Sequence, residues 1–392
     1  MRIAFVTLGY TPLRDSGLAI GGERVVRALL DAGHQVTLIA AARDRLPETH
    51  VDPALEIHRL PLGRSNWIGY AARAARKLRA LKNSRPFDVV HFFDLHFAYA
   101  YRGPFVATLH HSFHQRLSVL SGALHKELPR FMYYSLARLL AEQPALRRAS
   151  GLLAVSTATR DEFIHAYGVA PDRVALTRHG TDTNFFRPTP RASLLRARLG
   201  FAEDEPVLLF VGFVTPRKGL DYLAQALPLM RPTPRLLIVG RWAEGYRSRF
   251  LRLLGPLADR VVEAGYVSDE DLPAYYSLAD IYVSASLMEG FGHPLAEALA
   301  CETPVVATDV GGMAAHLRDY AALTPRRDAE AMARALLVTA AVPHAAKRQA
   351  RRGRDYVCRE WNRDLAFRAL RRSLTTAVAP AAGIGSRDEE AA

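Results

Sequence analysis

The chain has little of what marks a secreted, metal-stapled or membrane-spanning protein. Of its 392 residues only two are cysteines, Cys301 and Cys358. Two thiols without metal-ligand spacing argue against a disulfide framework or a zinc module and make a reducing cytoplasm the expected setting. No apolar run approaches the roughly 20 residues of a spanning helix. Stretches such as Gly151-Leu152-Leu153-Ala154-Val155 are far shorter. The opening Arg2-Ile3-Ala4-Phe5-Val6 reads as a buried strand, unlike the apolar core of a signal peptide. No repeat of solenoid period is present. Lysine is scarce too: there are five, so the net charge of +13 is carried almost wholly by arginine. Such a charge favours anionic partners. No nucleic-acid reader motif or aromatic–basic platform accompanies it, and no nucleic-acid partner is expected.

What is present is a rhythm. Strands are predicted over Arg2–Leu8, Gln35–Ala40, Asp88–Phe92 and Phe105–Leu109, with a helix over Gly22–Ala32 that stops at Gly33. Apolar strands alternating with helices predict a parallel, doubly wound sheet. The pattern breaks at Arg187-Pro188-Thr189-Pro190, an extended linker. It then restarts with predicted strands over Val207–Val211, Arg235–Val239, Ala279–Ser284 and Thr303–Thr308, and helices near Leu220–Leu229 and Pro294–Ala300. One long helix is expected from about Ala345 to Leu374, and a disordered tail over residues 379–392. The expected architecture is α/β: two doubly wound Rossmann-like domains, 1–187 and 188–357, facing a central cleft. A C-terminal helix near 358–376 would complete the first. Ligands of such sheets bind at the carboxyl ends of the strands.

The densest motif is Glu289-Gly290-Phe291-Gly292-His293-Pro294-Leu295-Ala296-Glu297. It follows a strand and opens a helix, with Pro294 in the first turn. The glycines allow a ligand close to the backbone, and the helix N-terminus favours a diphosphate. The two carboxylates can accept hydrogen bonds from vicinal hydroxyls. Upstream, Phe210-Val211-Gly212-Phe213-Val214-Thr215-Pro216-Arg217-Lys218-Gly219 ends a strand and puts Lys218 where it could stabilise a departing diphosphate. A P-loop does not fit, because no glycine precedes Lys218 and Gly219 stands where Ser or Thr is required. His110 closes a strand at the cleft edge, followed by His111. Gly311-Gly312 ends another strand, and Gly21-Gly22 stands early in the chain, where a Gly-x-Gly-x-x-Gly dinucleotide fingerprint does not fit.

Glu289 to Glu297 resembles the E-x7-E signature, in its EGFG-x-P form, of family-4 retaining glycosyltransferases with the GT-B fold. The similarity runs on through Ala298–Gly312, includes Gly265–Asp269, and reaches back to Gly21–Arg24, Ala154–Ser156 and His179–Pro188. The resemblance implies that Glu297 binds the donor ribose, that Glu289 lies near the donor sugar, and that the backbone at Phe291 and Gly292 meets sugar and phosphate. It places Lys218 and Gly212 at the diphosphate, His110 at the donor sugar, Gly311 and Gly312 against the donor, and Gly21 and Gly22 in a glycine loop. Two positions depart from the family: Phe213 stands where an arginine is usual, with Arg217 as its candidate replacement, and Met313–His316 lacks the usual glutamate.

The activity implied is retaining transfer from a UDP- or GDP-sugar to a hydroxyl of a lipid or envelope glycan precursor or of a small molecule. The nucleotide sugar is a co-substrate; no metal and no other cofactor is expected. A nucleotide-sugar epimerase and a non-catalytic sugar-nucleotide-binding protein are the alternatives. The expected location is cytoplasmic, with peripheral contact to an anionic membrane as a further reading for the basic stretch Trp67–Arg85. Its other reading is a packed helix with a solvated basic face.

Overall fold

The computed structural model describes residues 1–11, 17–42, 49–62, 66–120, 124–177 and 180–378. Among the described residues fourteen strands form two sheets. The first contains β1 (Arg2–Val6), β2 (Gln35–Ala42), β3 (Thr49–Val51), β4 (Leu55–Pro61), β5 (Val89–Phe92), β6 (Val106–Leu109), β7 (Gly151–Ala154) and β8 (Val174–Leu176). Its order is β3-β4-β2-β1-β5-β6-β7-β8, parallel except where β3 meets β4. The second contains β9 (Val207–Val211), β10 (Arg235–Val239), β11 (Val261–Gly265), β12 (Ile281–Ser284), β13 (Val305–Thr308) and β14 (Ala322–Thr324), all parallel in the order β11-β10-β9-β12-β13-β14.

The central strands β1 and β9 are almost wholly apolar because both faces are covered. In β1, Ile3 and Phe5 enter one core and Ala4 and Val6 the other. In β9, Leu208 and Phe210 point to one side, and Val207, Leu209 and Val211 to the other. That two-sided burial, with side chains alternating at period two, made these strands readable as short apolar runs.

Two expectations change. The first helix starts at Gly17 and runs to Asp31, so Gly21 and Gly22 lie inside it instead of in a loop. Gly22 packs there because a Cβ would stand 3.3 Å from both the Phe93 ring and the Thr7 hydroxyl. Second, the long C-terminal helix is two helices, Pro343–Glu360 and Arg363–Val378. Trp361 therefore sits at a break and outside the final helix. Thr181 N donates to the Trp361 carbonyl at 2.7 Å, Arg363 N donates to the Thr181 carbonyl at 3.1 Å, and these bonds replace helical ones. Leu370 and Leu374 of the last helix enter a core of the first sheet. Of the two readings of the basic stretch, the packed one holds: the helix Asn66–Ser84 turns Tyr70, Ala71, Ala74, Ala75 and Leu78 into the first sheet's other core. The tail 379–392 and His179 lie outside the described residues.

Candidate active site

Strand order reverses between β1 and β5 in the first sheet and between β9 and β12 in the second. Loops leaving such a reversal diverge and open a crevice. The loops after β6 and β7 meet those after β12 and β13, so the two crevices face one another.

From the second sheet, the loop after β9 carries Gly212, Arg217 and Lys218. Gly219 closes it at φ +68°, and a Cβ there would overlap the Ala285 carbonyl oxygen. This close approach sets Lys218 beside the loop after β12. Lys218 Nζ donates to Glu289 Oε1 at 2.5 Å, and Ser286 Oγ donates to the same oxygen at 2.7 Å. Arg217 Nη1 lies 3.6 Å from Glu289 Oε2 and donates to the Met288 carbonyl at 2.9 Å. Burial would push the Glu289 carboxyl up. The charges of Lys218 and Arg217, with hydrogen bonds from Lys218 and Ser286, outweigh it and hold the group at about 2. Lys218 is itself lowered by burial, which Glu289 opposes. Phe213, at the position of the family arginine, is 43% exposed. Arg217 is the second cation on the carboxylate.

The Phe291 side chain is core, its ring centroid 5.1 Å from that of Trp361, which leaves its backbone to the loop. Gly292, at φ +93°, caps the helix His293–Ala300. One turn in, Glu297 is buried, with the Tyr276 hydroxyl donating to Oε2 at 2.9 Å and Arg24 Nη2 3.6 Å from Oε1. Burial raises this carboxyl, and Arg24 and Tyr276 oppose it only in part.

From the first sheet, His110 donates from Nε2 to the Phe93 carbonyl at 2.7 Å. Burial lowers its pKa, against the pull of Asp94. Gly290 lies so close that a Cβ would overlap the His110 carbonyl oxygen, and a Cβ on Gly312 would overlap the Ser156 side chain. Gly312 N donates to the Gly290 carbonyl at 2.9 Å, and Gly311 packs behind Glu289. Glu289, Lys218, Arg217, His110, Gly311 and Gly312 thus form one cluster, with Gly212 behind Lys218 and Glu297 a helical turn away. Gly21 lines a cavity further along with Arg24, His293 and Arg363. In the departing stretch Met313–His316, His316 Nε2 lies 2.8 Å from the Thr157 hydroxyl, across the two halves.

The sequence reading missed two features. Arg24 reaches Glu297 from the other half of the molecule. Behind His110 lies a buried charge cluster: His96 has Nδ1 2.6 Å from Asp94 Oδ1 and Nε2 3.0 Å from Glu142 Oε1. Burial would lower His96, yet the two carboxylates raise it to about 9. Asp94 is held well below the usual carboxylate range: burial opposes this, and His96 outweighs it. Glu142 also accepts from Phe113 N at 3.0 Å and from the Tyr167 hydroxyl. Only Asp94 and His96 are neighbours in sequence, so no local spacing marked the cluster.

Two doubly wound sheets with a polar cluster between the carboxyl ends of their strands are the arrangement of the GT-B fold. Residues 193–355 match the family described as glycosyl transferases group 1, and residues 16–185 match glycosyltransferase family 4. The D-inositol 3-phosphate glycosyltransferase of Xylanimonas cellulosilytica is 30% identical over 347 residues, 80% of this chain and 81% of that protein. Sucrose-phosphate synthase from Thermosynechococcus elongatus superposes with a TM-score of 0.80 at 23% identity, covering 96% of this chain and all of that one. Anabaena HepE in complex with UDP and glucose gives a TM-score of 0.73 at 19% identity, covering 96% and 100%. The chain belongs to this glycosyltransferase family and has the GT-B fold. These relatives do not favour the epimerase alternative.

Proposed function

We propose that this glycosyltransferase moves a sugar from a nucleoside-diphosphate sugar, UDP- or GDP-linked, to an acceptor hydroxyl with retention of anomeric configuration. The observation that carries the reading is the placement of Lys218 and Arg217 on one part-buried carboxylate at the second sheet's crevice, opposite His110. The second half takes the donor. Glu297 accepts hydrogen bonds from the ribose hydroxyls, and the backbone at Phe291, Gly292, Gly311 and Gly312 meets phosphate and sugar. His110 bounds the sugar from the first half, which receives the acceptor, a lipid or envelope glycan precursor or a small molecule.

In the reaction the bond from the anomeric carbon to the diphosphate oxygen breaks while Lys218 and Arg217 take up the developing charge. The acceptor oxygen bonds to the same face of that carbon, and its proton passes to the departing phosphate oxygen. Glu289 is not the nucleophile in this scheme, since two cations already match its charge. The cations serve the diphosphate, and we assign no metal or other cofactor. The cavity beside Gly21, Arg24, His293 and Arg363 holds about 30 Å³, room for water but not for a nucleotide sugar. In this scheme the two halves close over the donor once it is bound. The UDP complex of HepE supports a uridine donor as the first to try.

The test is thermal stabilisation by UDP-, GDP-, ADP- and dTDP-sugars, followed by the anomeric configuration of the product with the stabilising donor. Stabilisation by one nucleotide class, lost in Glu297→Ala, and a product of retained configuration are expected. An inverted product would overturn retention. Donor binding without transfer to any acceptor tried would favour the non-catalytic alternative.

A further inference from the structure

Large apolar side chains exposed to solvent are normally scattered singly, and a cluster marks a surface with a partner. Among the described residues eighteen such side chains are exposed, and seven of them fall between residues 128 and 140. They lie on the helix Leu124–Ala137 and the turn Arg138–Glu142 that continues it. Leu128, Met132, Leu136, Leu139 and Leu140 recur at three- and four-residue steps and make one outward stripe. Met132 is 62% and Leu140 67% exposed, while Ala137, Ala141 and Glu142 turn into the protein. Solvated aliphatic tips in such a row gain nothing from the fold itself.

The surroundings of the stripe are basic. Exposed Arg130 lies on the same helix. Tyr133, beside it, accepts a hydrogen bond from Trp67 Nε1 at 2.6 Å, which ties the stripe to the start of the helix Asn66–Ser84. That helix has no acidic residue and exposes Arg76, Arg79 and Lys82. We propose that this combined face seats the protein on an anionic lipid bilayer, the apolar stripe entering the headgroup boundary and the arginines and lysines meeting lipid phosphates. A second copy is a poorer occupant, because each copy carries a net charge of +13 and the two would repel. Membrane contact thus moves from the apolar side of Asn66–Ser84, which is in the core, to the neighbouring helix.

The stripe also lies beside the cleft. Phe113 packs against Tyr134 with ring centroids 6.0 Å apart, and Gln115, in the same short helix as Phe113, donates from Nε2 to the Glu289 carbonyl at 3.3 Å. A protein so seated has its acceptor side next to the bilayer. The inference rests on exposure and charge and not on the transfer chemistry, so vesicle binding and sugar transfer can fail separately.

The experiment is co-sedimentation of the full chain with phosphatidylcholine vesicles, with and without phosphatidylglycerol, at low and high salt. Binding to the phosphatidylglycerol vesicles, weakened by salt, is expected. The double variant Met132→Glu/Leu136→Glu should bind at least about tenfold more weakly with an unchanged unfolding temperature. Leu194→Glu, at a still more exposed leucine on the second half, should bind like the parent. The proposal is overturned if the parent ignores phosphatidylglycerol vesicles or if the double variant binds equally well. It is also overturned if the parent sediments as a dimer that the double variant dissociates. Should the double variant fail to fold, Leu140→Ser takes its place under the same criteria.

Discussion

The two halves of the molecule hold their charges differently. The second half keeps Lys218, Arg217 and Glu289 where loops leave adjacent strands, at the lip of the cleft. The first half sinks Asp94, His96 and Glu142 beneath the floor, with none of the three exposed. An ion pair at a cleft lip can be taken apart and reused when an anionic ligand arrives, because each charge then finds a new partner. A buried triad cannot be reused without leaving a charge unpaired. The second half is therefore arranged for exchange of partners, and the first for rigidity behind His110.

The largest effect should come from removing what joins the halves. Trp361→Ala deletes a 1%-exposed side chain at the crossover and should cost about 3–5 kcal/mol. The denaturation curve should change from one transition to two; a single unshifted transition would speak against the coupling. Next, Glu142→Ala leaves His96 with one carboxylate and should cost about 3 kcal/mol. Transfer rate per folded molecule should stay near parental, and a rate collapse at equal folding would put the triad in the chemistry. Lys218→Ala should do the reverse, lowering kcat about a hundredfold with little loss of stability. An unchanged kcat would remove Lys218 from the leaving-group role.

The halves should also part company in pH. His96 is raised from 6.5 to about 9, so the folded state binds this proton more tightly than the unfolded chain does. Its contribution is complete below 6.5 and disappears as pH rises through 9. Glu289 is lowered from 4.5 to about 2; its contribution is complete above 4.5 and disappears as pH falls through 2. Between pH 6.5 and 9 the His96 contribution should thus decline while that of Glu289 stays constant. Unfolding temperature should fall less over this range in His96→Gln than in the parent, and identical slopes would refute the assignment. The smallest effect belongs to Arg24→Ala. Freed of a long ion pair worth ~0.5–1 kcal/mol, Glu297 should bind the donor a few-fold more tightly, as titration of the nucleotide sugar would reveal.

The same contrast explains what could be read without coordinates. Glu289 and Glu297 were legible together because one strand, one loop and one helix carry both, so chain spacing approximates spatial spacing. Val207–Val211 and Arg235–Val239 were legible to the residue because each is an apolar run enclosed on both faces. Glu142 meets His96, and Tyr167 meets Glu142, only after the sheet has assembled, and no pattern within a turn or strand announces them. The break at Trp361 was illegible for a related reason: no glycine or proline causes it. Thr181, far away in the chain, claims the backbone there. Gly21 and Gly22 misled because glycine serves close packing of a helix on Phe93 as well as it serves a loop.

The pairing of Thr181 with Asn362 has one more consequence. The polypeptide leaves the first half just after Thr181 and re-enters it at Asn362, so the exit and return strands of the chain lie side by side. Topologically the second half is a cassette spliced into the first, and it is not an appended module. Recombination that swaps donor preference between such enzymes would have to cut at both neighbouring points and leave Arg363–Val378 with its original host.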